Sequence, residues 1–200
     1  MNVRKYPALF FVVLAILALL VASPVLSRVL VFPRTEFFTE LYVLGSNGMA
    51  ENYPFNITSG QSYTITLGIG NQLGYCAYYV VEVKFRNETQ SAPTSFGALV
   101  PSSLPSLFNI TAFLADQGSW EMPMTFSWSY TYNASLLEVD FVNMTLNDNV
   151  LNLQGLSTTW NATESRYYGD LVFELWIFNA TTSVFQYHER YVDLKLNMTV

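Results

Sequence analysis

The stretch QSYTITLGIGNQLGYCAYYVVEVKFR, residues Gln61–Arg86, decides the fold class. Apolar side chains alternate with polar ones or glycine on both sides of a short segment, Asn71–Gly74. A period of two is typical of a β-strand with one apolar face. Two such runs across a turn predict an antiparallel hairpin, and its apolar face requires a second sheet to cover it.

The same alternation returns along the rest of the chain. The cleanest case is Met122–Tyr132, in which Pro123 indicates the start or the edge of a sheet. Many short strands separated by turns predict an all-β domain over residues 35–200, an immunoglobulin-like antiparallel β-sandwich. Further strand patterns cover 35–44, 108–114, 136–146, 171–179 and 184–196, while a Ser/Pro-rich stretch at 88–106 and residues 155–170 are predicted loops.

The N-terminal segment has the composition of a membrane span. Residues 1–6 carry two basic side chains, and residues 7–27, PALFFVVLAILALLVASPVLS, carry no charge. A helix of about 20 residues crosses a ~30 Å hydrocarbon layer. The sequence therefore predicts a cytoplasmic tail, one transmembrane signal anchor and, over 28–34, a spacer. A cleaved signal peptide is the alternative, although Ala22-Ser23 matches a cleavage site poorly.

Asn-X-Ser/Thr sequons are more frequent than chance allows. With 15 Asn, 17 Ser and 17 Thr in 200 residues, roughly 2.5 matches are expected, whereas eight occur. The excess predicts a glycosylated extracellular domain with the N-terminus in the cytoplasm, although these residue types also favour turns and strand edges. The candidate glycosylation sites are Asn56, Asn87, Asn109, Asn133, Asn143, Asn161, Asn179 and Asn197.

Composition argues against several function classes. Charged residues make up 12% of the chain and the net charge is -6, so nucleic acid, which requires clustered Lys and Arg, is not an expected partner. Enzymes need a positioned base, nucleophile or metal, yet the sequence has a single histidine, His188, and a single cysteine, Cys76. It therefore predicts a non-enzyme without a cofactor. Cys76 lies in a strand pattern, which predicts a small buried side chain rather than a reactive thiol.

The four tryptophans leave two roles open. Core packing is the expected role, and a sugar-stacking platform on one face of the sandwich is the alternative. Trp160 lies in a predicted loop beside a sequon and is the candidate sugar-stacking residue.

The segment ELYVLGSNGMAENYPFNITSGQSYTITLGIGNQ, residues 40–72, resembles the DUF1616 family of archaeal membrane proteins. The run Ala50–Pro54, AENYP, is its most specific part, and the residues Phe173–Trp176 and Tyr191–Asn197 resemble a later strand pair of the family. The resemblance implies a membrane-associated β-domain of archaeal origin and brings no activity with it. Members of the family often carry several spans before this domain, whereas this sequence predicts one.

Together these observations predict a non-catalytic, membrane-anchored cell-surface or envelope protein. Its single-pass anchor would place a β-sandwich outside the cell, where the domain binds another surface protein or the cell coat. A carbohydrate-binding surface module that uses exposed aromatic side chains is the alternative, and an accessory enzyme is a third hypothesis.

Overall fold

The computed structural model describes residues 7–29, 36–94 and 99–200, with side chains over 11–23 in the first range. The chain divides into two units between Phe37 and Phe38. Helix α1 (Pro7–Val29) belongs to the first unit. A search of the described residues found no helix with both the length and the apolar character of a membrane span. The predicted tail and most of the predicted spacer lie outside the described residues.

The second unit consists of β-strands, of which eleven are found in its described residues. They are β1 (Phe38–Leu44), β2 (Asn56–Thr58), β3 (Ser62–Gln72), β4 (Ala77–Arg86), β5 (Phe108–Leu114), β6 (Ser119–Asn133), β7 (Glu138–Leu146), β8 (Asn149–Asn152), β9 (Ser157–Asn161), β10 (Arg166–Asn179) and β11 (Val184–Thr199).

The strands form two sheets packed face to face. Sheet A has the order β1-β3-β6-β7, and both β8 and β9 pair with β7. Sheet B has the order β5-β4-β10-β11-β2, and only its short β11–β2 pair is parallel among the described pairs. Strand β9 also pairs with β10, so it joins the two sheets at one side. This antiparallel β-sandwich confirms the all-β prediction.

The core lies between the inner faces of the two sheets. Its centre is an aromatic cluster in which the Phe85 ring of sheet B lies 5.2 Å from the Trp128 ring and 4.7 Å from the Phe141 ring of sheet A. All three side chains are buried. Aromatic pairs at this separation contribute packing energy beyond the area they remove from water, and here that energy holds one sheet against the other.

The hairpin predicted for Gln61–Arg86 is wrong, although both of its strands are present. Strand β3 pairs with β1 and β6 in sheet A, whereas β4 pairs with β5 and β10 in sheet B. Residues 73–76 therefore cross from one sheet to the other. Alternation identifies the buried face of each strand correctly, but it does not identify the neighbouring strand, and here the two apolar faces pack against each other.

Two further predictions are also wrong. The segment 155–170, predicted as a loop, contains β9 and the start of β10. The start of β10 was missed because residues 167–175 are buried on both faces of sheet B, so apolar and polar side chains do not alternate there. Cys76 is exposed rather than buried, because it lies in the segment that crosses between the sheets and precedes β4. The Ser/Pro-rich stretch is free of strands in its described residues.

Pro123 shows why a proline is tolerated inside β6. At this position β6 pairs with Thr66 of β3 on one side, while the pairing with β7 begins only at Phe126. Proline has no backbone N–H to donate, so it fits where one side of the strand is open.

Candidate functional site

The outer face of sheet B is divided into a charged half and an aromatic half. Along β4 the outward side chains change from Tyr78 at one end to Lys84 and Arg86 at the other. Strand β10 runs antiparallel to β4, and its outward side chains change from Asp170 to Phe178. Charged side chains of the two strands therefore lie side by side at one end of the sheet, and aromatic side chains at the other. The sheet therefore presents two surfaces of different chemistry.

In the charged half, ionised side chains are buried under the Ser/Pro-rich loop. Glu174 is fully buried, and its Oε2 lies 2.8 Å from Lys84 Nζ, which is also 3.0 Å from Glu82 Oε2. The loop contributes Ser102, whose backbone N–H donates to Glu174 Oε1 at 2.9 Å and whose hydroxyl donates to the same carboxylate. These contacts fix the loop on the sheet.

A second buried carboxylate, Asp170, completes the charged half. Arg86 Nε donates to Asp170 Oδ2 at 3.0 Å, and the Tyr168 hydroxyl donates to the same oxygen. Burial, together with the Asp170 carboxylate, raises the pKa of Tyr168. Burial by itself lowers the pKa of Arg86, but the hydrogen bond to Asp170 and the charge of that carboxylate together with Tyr168 and Asp193 raise it overall. The charged half is therefore a set of ion-paired side chains, of which Lys84, Asp170 and Glu174 are buried.

In the aromatic half, large side chains surround an open groove of about 480 Å³. We call the surface lined by Tyr75, Tyr78, Phe113, Phe178 and His188 the aromatic groove. Phe113 is 72% exposed and Tyr75 is 58% exposed, both high values for aromatic residues on a folded domain. The Tyr78 and Phe178 rings lie 6.4 Å apart, so they pack beside each other on this surface.

His188 lies at the inner end of the aromatic groove and starts a hydrogen-bonded chain into the core. Its Nε2 is 2.7 Å from Thr39 Oγ1, which is 3.2 Å from the hydroxyl of Tyr79. Tyr79 in turn donates to Asn71 Oδ1 at 3.1 Å. Burial lowers the pKa of His188, with the nearby Arg190 acting in the same direction. The neutral imidazole thus joins sheet B to sheet A.

A local irregularity in β11 positions this histidine. The register between β10 and β11 shifts after Leu175, so that Leu175 pairs with Arg190 while the next residue, Trp176, pairs with Tyr187. His188 and Glu189 are the extra residues, and Glu189 has a φ of 55°. Such a β-bulge turns a side chain away from the regular face of the sheet. Among the described residues, no group of three or more His, Cys, Asp or Glu side chains is placed to hold a metal.

The sequon asparagines all reach the surface to some degree. Asn56 and Asn109 are exposed, and the other six are half-buried. The side-chain nitrogen that would carry a glycan donates to protein acceptors in three of them. The acceptors are the backbone oxygen of Ser157 for Asn87, Gln186 Oε1 for Asn179 and Asn56 Oδ1 for Asn197.

Three sequons share one turn geometry that the sequence analysis did not recognise. Asn133, Asn161 and Asn179 each precede a four-residue hairpin loop, and the last loop residue has a positive φ of 51°, 52° and 56°, respectively. In each, the Asn Oδ1 accepts the backbone N–H two residues on. The repeated pattern Asn-Ala-Ser/Thr was the available signal. Turn formation therefore accounts for these sequons independently of glycosylation.

The tryptophans divide between core and surface. Trp128 is 1% exposed and belongs to the core, and Trp120 and Trp176 are half-buried. Trp160 is 41% exposed, and its ring meets the Tyr167 ring edge-on at 5.1 Å. The structure therefore leaves Trp160 accessible and rigidly supported.

Comparison with known proteins gives a family match by sequence. The family model described as "Domain of unknown function (DUF1616)" matches residues 33–141. No curated protein matches the chain in sequence.

Similar solved structures are distant. A CARDB domain from Pyrococcus furiosus is 9% identical, with a TM-score of 0.38, over 84% of this chain and 95% of that domain. A PapD-like domain of human CEP192 is 10% identical, with a TM-score of 0.31, over 84% and 91%. A β-glucosidase from Listeria innocua is 10% identical with a TM-score of 0.39, and the match covers 84% of this chain but spans only 17% of the β-glucosidase.

Proposed function

The chain belongs to the DUF1616 family, and from its sequence and fold we propose that it is a non-catalytic, membrane-anchored cell-surface protein that binds another protein. In this proposal an immunoglobulin-like β-sandwich lies outside the cell. The anchor is the charge-free segment 7–27, whose length and apolar sequence support this role. The eight sequons support an outward orientation of the domain, with residues 1–6 in the cytoplasm.

The aromatic groove is the observation that carries the binding role. Protein interfaces are enriched in aromatic side chains and depleted of charge at their centre. The groove offers Phe113 and Tyr75 in exposed positions, and the amides of Asn179 and Gln186 lie at its rim. The ion pairs of sheet B lie in the other half of the face, under the Ser/Pro-rich loop. An apolar centre with polar groups at its edge fits a protein surface better than a charged ligand.

Affinity capture from intact membranes tests this role. The full chain would be cross-linked in its membrane, and the proteins bound to it would be identified by mass spectrometry. We expect one specific partner to be captured by the wild type and lost on Phe113→Ser. The matched control is Val150→Ser in β8 of sheet A, because Val150 is 70% exposed and lies outside the groove. Equal capture by both variants, or no specific partner at all, would contradict the proposal.

The anchor is tested separately by determining the mature N-terminus by mass spectrometry of the membrane fraction. We expect residues 7–27 to be retained. A mature chain that begins near Ser23 or Ser27 would show a cleaved signal peptide instead and would remove the anchor from the proposal.

Binding of carbohydrate is a second candidate function, and the exposure of Trp160 favours it. Its ring is supported by Tyr167, and a supported, accessible ring can stack against the apolar face of a sugar. A glycan array probed with unglycosylated protein would show binding that is lost on Trp160→Ala. Absence of binding to every glycan on the array would remove this candidate.

A further inference from the structure

We infer that N-linked glycans on Asn133 and Asn161 pack against an apolar patch of the protein's own surface, centred on Trp160. This inference rests on the proposed outward orientation of the domain. It identifies a modification at two of the eight sequons and gives that modification a structural role.

The patch consists of exposed apolar side chains at one end of the sandwich, and we call it the Trp160 patch. Leu136 is 64% exposed, Leu137 is 48% exposed, and Tyr132 and Trp160 are 40% and 41% exposed. The Trp160 backbone N–H donates to the Leu137 oxygen at 3.0 Å, so the two are neighbours. The Tyr132 and Trp160 rings both contact Tyr167. Tyr132 and Trp160 thus share Tyr167 as a neighbour, and the exposed Leu136 and Leu137 lie in the adjoining hairpin loop.

The two candidate asparagines border this patch. Asn133 follows Tyr132 and Asn161 follows Trp160 in the chain. Glu138 of β7 pairs with Asn133 on one side and with Thr159 on the other, so the two hairpins leave the sheet side by side. Because successive side chains along a strand point to opposite faces, these glycans would start beside the patch on the outer face of sheet A and would fold over the strand ends to reach it.

The other sequon of the same turn type provides a contrast. Asn179 lies at the opposite end of β10, beside the aromatic groove. Its Nδ2 is engaged by Gln186 Oε1 at 3.0 Å.

The chemistry of the patch suits an attached sugar. A pyranose ring has one face of C–H groups, which packs on an aromatic ring, while its hydroxyls remain in water. A tethered sugar is present at high effective concentration, so even a weak contact is occupied. Glycans would therefore shield apolar area that otherwise faces solvent.

The turn geometry makes a clean test possible. Thr163 and Ser135 complete the two sequons, but the turns use only their backbone N–H groups, at 2.8 Å and 3.1 Å from the Asn Oδ1 atoms. The variants Thr163→Ala and Ser135→Ala therefore remove the glycan and retain the turn. Asn161→Ala removes both and serves as the comparison.

The experiment uses the full chain from a secretory host that attaches N-glycans and the same chain from a bacterial cytoplasm. Glycopeptide mass spectrometry should find glycans at Asn133 and Asn161. In the glycosylated protein, Thr163→Ala should lower Tm by about 2–4 °C. That shift should fall by at least half in a Trp160→Leu or Trp160→Ala background, and it should be absent in the bacterial protein.

The outcomes separate this inference from the proposed function. Absence of glycan at all eight sequons would contradict the outward orientation itself. Glycans at other sequons but not at Asn133 or Asn161 would overturn only the inference. Glycans at both sites, with the same Tm shift in the wild-type and Trp160→Leu backgrounds, would show that the sugars do not pack on the patch.

Discussion

Tyr79 of sheet B donates a hydrogen bond to Asn71 of sheet A, with a distance of 3.1 Å between Tyr79 Oη and Asn71 Oδ1. Both side chains are fully buried. The Asn71 Nδ2 donates to the backbone oxygens of Tyr75, Leu114 and Ala115. One amide thus fixes the segment that crosses between the sheets and also joins the sheets to each other.

Replacement of Asn71 should be among the most destabilising single changes in the domain. Asn71→Ala removes the hydrogen bonds that the amide donates to three backbone carbonyls and the one that it accepts from Tyr79, which should lower the free energy of unfolding by at least about 3 kcal/mol. Tyr79→Phe removes one of these bonds and should cost about 1–2 kcal/mol. Urea unfolding measures both. The exposed Gln154→Ala is the control, and a loss below about 1 kcal/mol for Asn71→Ala would contradict the prediction.

The Lys84–Glu174 pair should be more costly to break than to replace. Lys84→Met leaves the buried Glu174 carboxylate without its 2.8 Å partner and should cost about 3–5 kcal/mol. The double variant Lys84→Met/Glu174→Leu removes both charges and should recover most of that loss. Unfolding in guanidinium of the single and double variants measures the coupling. Additive losses would show that the two charges do not depend on each other.

Stability should depend on pH through His188. Burial holds its pKa below the ordinary value of 6.5, so below that pH the unfolded chain binds the proton more readily than the folded chain. The contribution of neutral His188 to the free energy of unfolding is therefore complete above pH 6.5. It is lost as the pH falls from 6.5 to the lower pKa of His188 in the folded protein. The groups that face the ring are Thr39, Tyr79, Glu189 and Arg190.

His188→Gln should remove this pH dependence, because glutamine can still bond to Thr39 but does not titrate. Thermal unfolding between about pH 7.5 and 5 would be compared for the two proteins. We expect the wild type to lose more stability than the variant over this range. Identical slopes would show that the imidazole is not responsible.

The aromatic cluster of the core should respond differently from the aromatic groove. Phe85 is 2% exposed and contacts Trp128 and Phe141, so Phe85→Ala should cost about 3–5 kcal/mol. Phe113 is 72% exposed, and Phe113→Ala should change stability by no more than about 0.5 kcal/mol. Denaturant unfolding measures both. A large loss for Phe113→Ala would mean that this side chain supports the fold rather than binding.

The hairpin loops offer a stabilising change. Ser183 ends the loop between β10 and β11 with a φ of 56°, a left-handed conformation that strains residues with a Cβ atom. Ser183→Gly should raise the free energy of unfolding by about 0.5–1 kcal/mol, whereas the β-branched Ser183→Val should lower it. Thermal unfolding of the two variants measures the change in stability, and the prediction requires that change to have opposite signs in Ser183→Gly and Ser183→Val.

Local pattern was sufficient to identify most strands and the faces they bury. The inward positions Tyr79, Val81 and Val83 follow directly from alternation, because β4 has apolar residues on every second position. Alternation did not reveal β9 or the start of β10. Asp170 and Glu174 are polar and yet fully buried, since partners from β4 and the Ser/Pro-rich loop pair with them.

The sequence by itself determined the β class, the charge-free segment at residues 7–27, the sequons and the family. Only the tertiary structure decided that β3 and β4 belong to opposite sheets, that Cys76 is exposed and that the aromatic groove exists. The physical reason is one of range. The alternation of apolar and polar side chains along a strand depends on whether each of its faces contacts the core or solvent. The choice of neighbouring strand depends on residues far away in the chain.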